Sequence, residues 1–137
     1  MYNIGYTTGV FDLFHIGHLN ILRRAKERCK YLIVGVSTDE TVLEYKHRKP
    51  VIPFSERIEI VRAIRFVDEV VPQTDMDKLR AWKDLRFDVL FHGDDWKNTA
   101  LYDKYIADFQ KVGVDVVFLP HTQGTSSTEI AARLHGK

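Results

Sequence analysis

Cysteine is almost absent from the chain. A single Cys29 in 137 residues excludes an intrachain disulfide and every cysteine-cluster metal site, and is expected as a reduced, partly buried helix residue. No HExxH pattern supplies zinc ligands either. No apolar run approaches the roughly 20 residues of a membrane span. The start, MYNIGYTTG, lacks the basic residues and continuous apolar stretch of a signal peptide, so the cytoplasm is the expected location. An excess of one charge is missing too: 20 Lys and Arg against 19 Asp and Glu leave a formal +1. That is no field for a nucleic acid polymer, although a few local cations can still hold a small anion. Only 4 prolines, with no low-complexity tract, internal repeat or linker, argue against disorder. The length fits one domain, residues 1–137, built on a single sizeable core.

What is present alternates. Tyr2 to Thr8 is aromatic and β-branched and reads as a strand; HLNILRRAKERCK then reads as a helix. YLIVGVS is a short apolar run suited to a strand buried on both faces, followed by a short helix over Asp39 to Glu44. After the basic loop YKHRKPVIP, Ser55 is a candidate N-cap for ERIEIVRAIR, and DEVVP is a third strand. Thr74 to Leu85 is predicted helical, Asp88 to Phe91 a strand, Leu101 to Val112 a helix closed by Gly113, and Val114 to Leu119 a fifth strand. Ser126 with Glu129 forms a capping-box pattern for the last helix. The alternation predicts a single-domain α/β fold: a Rossmann-like, doubly wound parallel sheet of about five strands, with ligands at the carboxyl ends of the strands.

The distinctive polar clusters fall at those ends. GVFDLFHIGH, residues 9–18, joins the first strand to the first helix. There Gly17 permits close backbone approach, free N–H groups and the helix dipole face an anion, and His15 and His18 add donors. Taken alone, the pair reads rather as one histidine that caps a turn and another that packs beneath the helix. Lys46, Arg48 and Lys49 lie on a loop long enough to close over phosphates. Arg57 sits early in its helix, where it opposes the dipole. HGDDW follows the fourth strand with Asp94 and Asp95. HTQGTSST follows the fifth and sets the hydroxyls of Thr122, Ser126 and Ser127 at a helix N-terminus, where capping alone is the alternative role.

The form GxFDxxHxGH, met by Gly9, Phe11, Asp12, His15, Gly17 and His18, resembles the signature of the nucleotidyltransferase superfamily. With STDE, the lysine-rich loop, RFVDEVVP and GDDW, nearly the whole chain is similar to the glycerol-3-phosphate cytidylyltransferases. The resemblance implies Mg²⁺-dependent transfer of CMP from CTP to sn-glycerol 3-phosphate, by in-line attack on the α-phosphorus, in support of cell-surface polymer synthesis. It leaves phosphocholine, phosphoethanolamine or another polyol phosphate as alternative acceptors, and a related adenylyltransferase as an alternative activity. It implies catalytic roles for His15, His18 and Lys46. Nucleotide contacts are implied for Gly9, Val10, Phe11, Gly17, Asp94, His121, Thr122, Ser126 and Ser127, and substrate-phosphate contacts for Lys46, Arg48, Lys49 and Arg57. No protein metal ligand is implied, since Mg²⁺ travels on the triphosphate. Arg65 and Asp68 match a segment near the family's subunit interface, so a homodimer is expected. The chain departs from the pattern at Val10, where the family has threonine, and at His121, where it has arginine; histidine offers no bidentate fork and is mostly neutral at pH 7.

Overall fold

The computed structural model describes residues 1–94, 97, 99–122 and 127–135. In chain order the elements are β1 (Tyr2–Gly9), α1 (Ile16–Lys26), β2 (Cys29–Ser37), α2 (Asp39–Lys46), α3 (Phe54–Arg62), β3 (Glu69–Gln73), α4 (Lys78–Leu85), β4 (Val89–Gly93), α5 (Ala100–Gln110), β5 (Asp115–Leu119) and α6 (Ser127–His135). All strand pairs are parallel, in the order β3-β2-β1-β4-β5. The chain first builds outward from β1 to β3, then restarts beside β1 with β4, so the order reverses between β1 and β4 and a crevice opens at their carboxyl ends.

Two cores follow from the period-2 alternation of the buried strands. Leu32, Val34 and Val36 of β2 with Val89 and Phe91 of β4 face α1 and α3, where they meet Leu22, Ala25 and Val61. Ile33 and Leu90 point the other way and join Tyr6, Phe87, Tyr102 and Phe109 beneath α4 and α5. Close approach at β2 needs glycine: a Cβ on Gly35 would come within 2.5 Å of the Tyr6 hydroxyl oxygen.

Several local expectations are corrected by tertiary partners. Cys29 is buried as predicted to be partly so, but it opens β2 instead of lying in α1, because it pairs in register with Tyr2 across the sheet. The N-cap of α3 is Pro53, not Ser55; the Phe54 N–H is satisfied by the Asp39 carboxylate at 3.2 Å. Helix α4 begins at Lys78 rather than Thr74, with Asp77 accepting from the Arg80 N–H as its cap. Helix α5 ends at Gln110, and Gly113 takes the left-handed conformation (φ +77°) two residues past the C-cap Lys111. Ser126 lies outside the described residues.

Candidate active site

The mouth of α1 is built by its two histidines. His15 is the N-cap in extended conformation, and its Nδ1 accepts from the Gly17 N–H at 3.0 Å. The Nδ1 of His18 accepts in turn from the His15 N–H at 3.2 Å. This reciprocal cap consumes one lone pair on each ring, so a neutral imidazole here carries its proton on Nε2 and presents it as a donor. The rings stack with centroids 3.9 Å apart, and Phe11 and Phe14 lie 5.4 Å and 5.2 Å from His18. Burial lowers the pKa of His15. Burial, helped by His15 and opposed by Asp12, pushes His18 down to about 3. The capping role and the donor role, alternatives in the sequence, are therefore carried by the same rings through different nitrogens.

The loop before α1 is strained and braced. Phe11 and Leu13 both have positive φ, 55° and 50°, a conformation that costs non-glycine residues of order 1 kcal/mol or more each and persists only when surroundings enforce it. Between them Asp12 accepts from the backbone N–H groups of Val51 and Ile52 at 2.8 and 2.9 Å. This ties the histidine loop to the segment after α2. The Ser127 hydroxyl donates to the Asp12 carbonyl, which fastens α6 to the same loop.

Arg57 is the hub of this framework, not a phosphate ligand on the cavity wall. Its side chain is fully buried and outside the cavity lining. Nε donates to the Ile52 carbonyl, Nη1 to the carbonyls of Val10 and Ser37, and Nη2 to Asp39, all at 2.7–2.8 Å. Four of five donors thus join the ends of β1 and β2 to the starts of α2 and α3. Opposition to the α3 dipole, which suggested a ligand, is offset by these carbonyls and the Asp39 charge.

A cavity of about 830 Å³ occupies the crevice. Gly9, Val10, Phe11, Gly17, His15 and His18 line its α1 side, and His121, Thr122 and Ser127 line it near β5 and α6. Asn20 of α1 donates to the Thr122 hydroxyl at 2.9 Å. Lys46, Arg48 and Lys49, all exposed, line it from the other direction. Asp94 lies outside the lining and is held by His121, whose ring and N–H both approach its Oδ1. That hydrogen bond keeps the Asp94 pKa below its ordinary value. Among the described residues, Asp12 is the one carboxylate lining the cavity, and both its oxygens are engaged. The sequence reading missed Lys78, whose buried side chain joins the lining. No sequence signal marked it, because the predicted helix began at Thr74 and only the observed start at Lys78 sets this cation in the first turn, against the dipole.

Residues 6–133 match the cytidylyltransferase-like family model. The chain belongs to the cytidylyltransferase-like family. It is 40% identical over 131 residues to a glycerol-3-phosphate cytidylyltransferase of Bacillus subtilis (strain 168), covering 95% of each chain. A second relative, the glycerol-3-phosphate cytidylyltransferase of Staphylococcus aureus (strain NCTC 8325 / PS 47), is 37% identical over 138 residues, covering 96% of this chain and 94% of its own. Among solved structures, a lipopolysaccharide core biosynthesis protein from Thermoplasma volcanium GSS1 superposes with a TM-score of 0.74 at 22% identity, over 91% of this chain and 100% of its own. That likeness concerns the fold. In this cytidylyltransferase-like chain the loop after β1, the loop after α2 and the start of α6 meet at one cavity, whereas Asp94 of the cluster after β4 stands outside its lining.

Proposed function

We propose that the protein transfers CMP from CTP to sn-glycerol 3-phosphate, forming CDP-glycerol and pyrophosphate. The observation that carries this reading is the pair of Nδ1-capped imidazoles lining a cavity with three exposed cations and, among the described residues, a single, already occupied carboxylate. Such a cavity suits two phosphorylated substrates. At neutral pH an alkyl phosphate is already largely the dianion, so it attacks the α-phosphorus without a general base: the new P–O bond forms as the bond to the β-phosphate oxygen breaks, and pyrophosphate leaves. Charge develops on the α-phosphate oxygens, where fixed N–H donors from His15 and His18 lower the barrier electrostatically. The family relatives sharing this name over nearly their full length support the choice of acceptor.

In this reading Lys46, Arg48 and Lys49 offset repulsion between the substrates. Gly9, Val10, Phe11, Gly17, His121, Thr122 and Ser127 line the cavity and serve the nucleotide, while Asp94, outside the lining, acts by holding His121. Mg²⁺ would be carried by the triphosphate, where it would neutralise part of the charge. The hydroxyls of Thr122 and Ser127 line the α6 end of the cavity. The reading also includes a cytoplasmic homodimer. Strand β3 is a sheet edge with its residues 69–71 half-buried, a surface that proteins commonly cover.

The test is pyrophosphate release from CTP, ATP, UTP and GTP against glycerol 3-phosphate, phosphocholine, phosphoethanolamine and ribitol 5-phosphate. CTP with glycerol 3-phosphate is expected to give the largest kcat/KM. His18→Ala is expected to lower kcat about 10²–10³-fold with CTP affinity nearly retained. No pyrophosphate from any pair overturns the reading.

A further inference from the structure

Helix α1 carries a second polar chain just beyond its histidines. The Asn20 side chain is half-buried and lies outside the cavity lining, yet its Nδ2 donates to the Thr122 hydroxyl at 2.9 Å. The other end of the amide is held by Arg23, whose Nη2 donates to Asn20 Oδ1. Spacing of three along a helix sets such a pair side by side. A guanidinium can only donate, so the carbonyl of the amide must face Arg23 and its NH₂ must face Thr122. The next side chain, Arg24, donates to the Pro120 carbonyl at 2.8 Å. Helix α1 therefore grips the chain leaving β5 at two places, Pro120 and Thr122.

The consequence falls on the direction of one proton. A threonine hydroxyl has a single hydrogen, which rotates to suit its partners. An amide NH₂ offers it no lone pair, so Thr122 accepts from Asn20 and keeps its own proton. Among the described residues no acceptor takes that proton, and Thr122 lines the cavity. Ser127, the other hydroxyl on this wall, is arranged in the opposite sense: its proton is given to the Asp12 carbonyl. Of the two, Thr122 is the donor. A donor turned toward a cavity in advance favours an anionic oxygen, because hydrogen bonds to charged acceptors are the stronger ones.

Resting on the proposed cytidylyl transfer, we infer that Asn20 is a positioning residue for the nucleotide: oriented by Arg23, it sets the Thr122 hydroxyl as a donor to an anionic oxygen of the triphosphate. Thr122 touches the ligand, and Asn20 acts through it. In the proposed reaction the oxygens that gain charge belong to the histidines, so the Thr122 bond holds ground state and transition state alike. Its loss raises KM for CTP and leaves kcat nearly unchanged. Aspartate is the informative replacement. It matches asparagine in size and still accepts from Arg23, but it puts an oxygen where the NH₂ stood, so Thr122 turns its proton away from the cavity and onto the carboxylate.

The experiment measures the Kd of CTP with Mg²⁺ by titration calorimetry, and KM and kcat in pyrophosphate release with glycerol 3-phosphate. It compares wild type, Asn20→Asp, Asn20→Leu, Thr122→Val and the Asn20→Asp/Thr122→Val double variant. Asn20→Asp and Thr122→Val are each expected to weaken CTP binding about tenfold or more, with kcat and the KM for glycerol 3-phosphate nearly constant. Asn20→Leu, which leaves the hydroxyl free to rotate, should lose less than Asn20→Asp. The reverse order overturns the inference, because a merely structural contact survives in aspartate, which accepts from Thr122, and is lost in leucine. The added carboxylate also repels a triphosphate, and the double variant separates the two causes: without the Thr122 hydroxyl, Asn20→Asp should add less than about twofold. A full further loss marks plain repulsion and is equally fatal. Wild type that binds CTP but releases no pyrophosphate with any acceptor defeats the cytidylyltransferase reading, while the Kd comparison still decides the role of Asn20. Wild type that does not bind CTP defeats both.

Discussion

At His15 the two ring nitrogens are divided between structure and chemistry, with Nδ1 taking the Gly17 N–H and Nε2 left for a ligand. His15→Asn keeps an N-cap acceptor but removes that donor, whereas His15→Ala removes both. Both variants are expected to lose kcat by about 10²–10³, while Ala alone loses about 1 kcal/mol in urea unfolding; equal stabilities would show that the cap is dispensable. Arg57 differs in kind. Its four hydrogen bonds point in divergent directions to three backbone carbonyls and Asp39, so Arg57→Met is expected to destabilise by about 3–5 kcal/mol. Arg57→Lys should recover less than half of that, because one ammonium cannot replace the planar fork. Full rescue by lysine would favour simple phosphate attraction instead. The histidines were legible because their spacing around Gly17 is local. The brace was not, because every partner of Arg57 lies at least five residues away.

At the scale of elements, Asp12 controls the basic loop. Its carboxylate holds Val51 and Ile52 directly downstream of Lys46, Arg48 and Lys49. Asp12→Ala is expected to accelerate tryptic cleavage within 46–49 and to raise the acceptor KM, each about tenfold, from the loss of two charge-assisted hydrogen bonds. Cleavage at the wild-type rate would mean that the loop is held by other contacts. In β2, Gly35→Ala is expected to cost about 1–3 kcal/mol in chemical denaturation, since the added methyl meets the Tyr6 hydroxyl. The alternation of strands and helices was readable from periodicity. Element ends were less so: α3 draws its first N–H partner from Asp39, fifteen residues earlier, and α4 is started by Asp77 rather than by the propensity of the residues before it.

The whole molecule carries a pH signature. His18 and His92 are both pushed down to about 3, each chiefly by burial, while in the unfolded chain histidine titrates near 6.5. Between these values the unfolded state binds protons that the folded state refuses, so stability falls as pH drops below about 6.5 and is level with respect to these groups above it. Each histidine contributes at most about 1.4 kcal/mol per pH unit within that window. Urea midpoints at pH 7 and 5 measure the slope, and His92→Gln should flatten it; a midpoint independent of pH over this range would contradict the burial of both rings. Binding of a triphosphate opposes the effect at His18, since an anion beside the ring favours its charged form.

Period and punctuation alone determined the parallel α/β architecture, the placement of four polar clusters at strand ends and the histidine motif, because these depend on residues within a few positions of one another. Only the folded chain decided what each cation does. Arg57 and Lys78 are both cations near the start of a helix, α3 and α4. One is surrounded by three backbone carbonyls and a carboxylate and becomes scaffold, while the other emerges into the cavity beside Thr8. The difference is desolvation with or without compensating partners, and those partners are assembled only when β1, β2 and β3 are brought side by side.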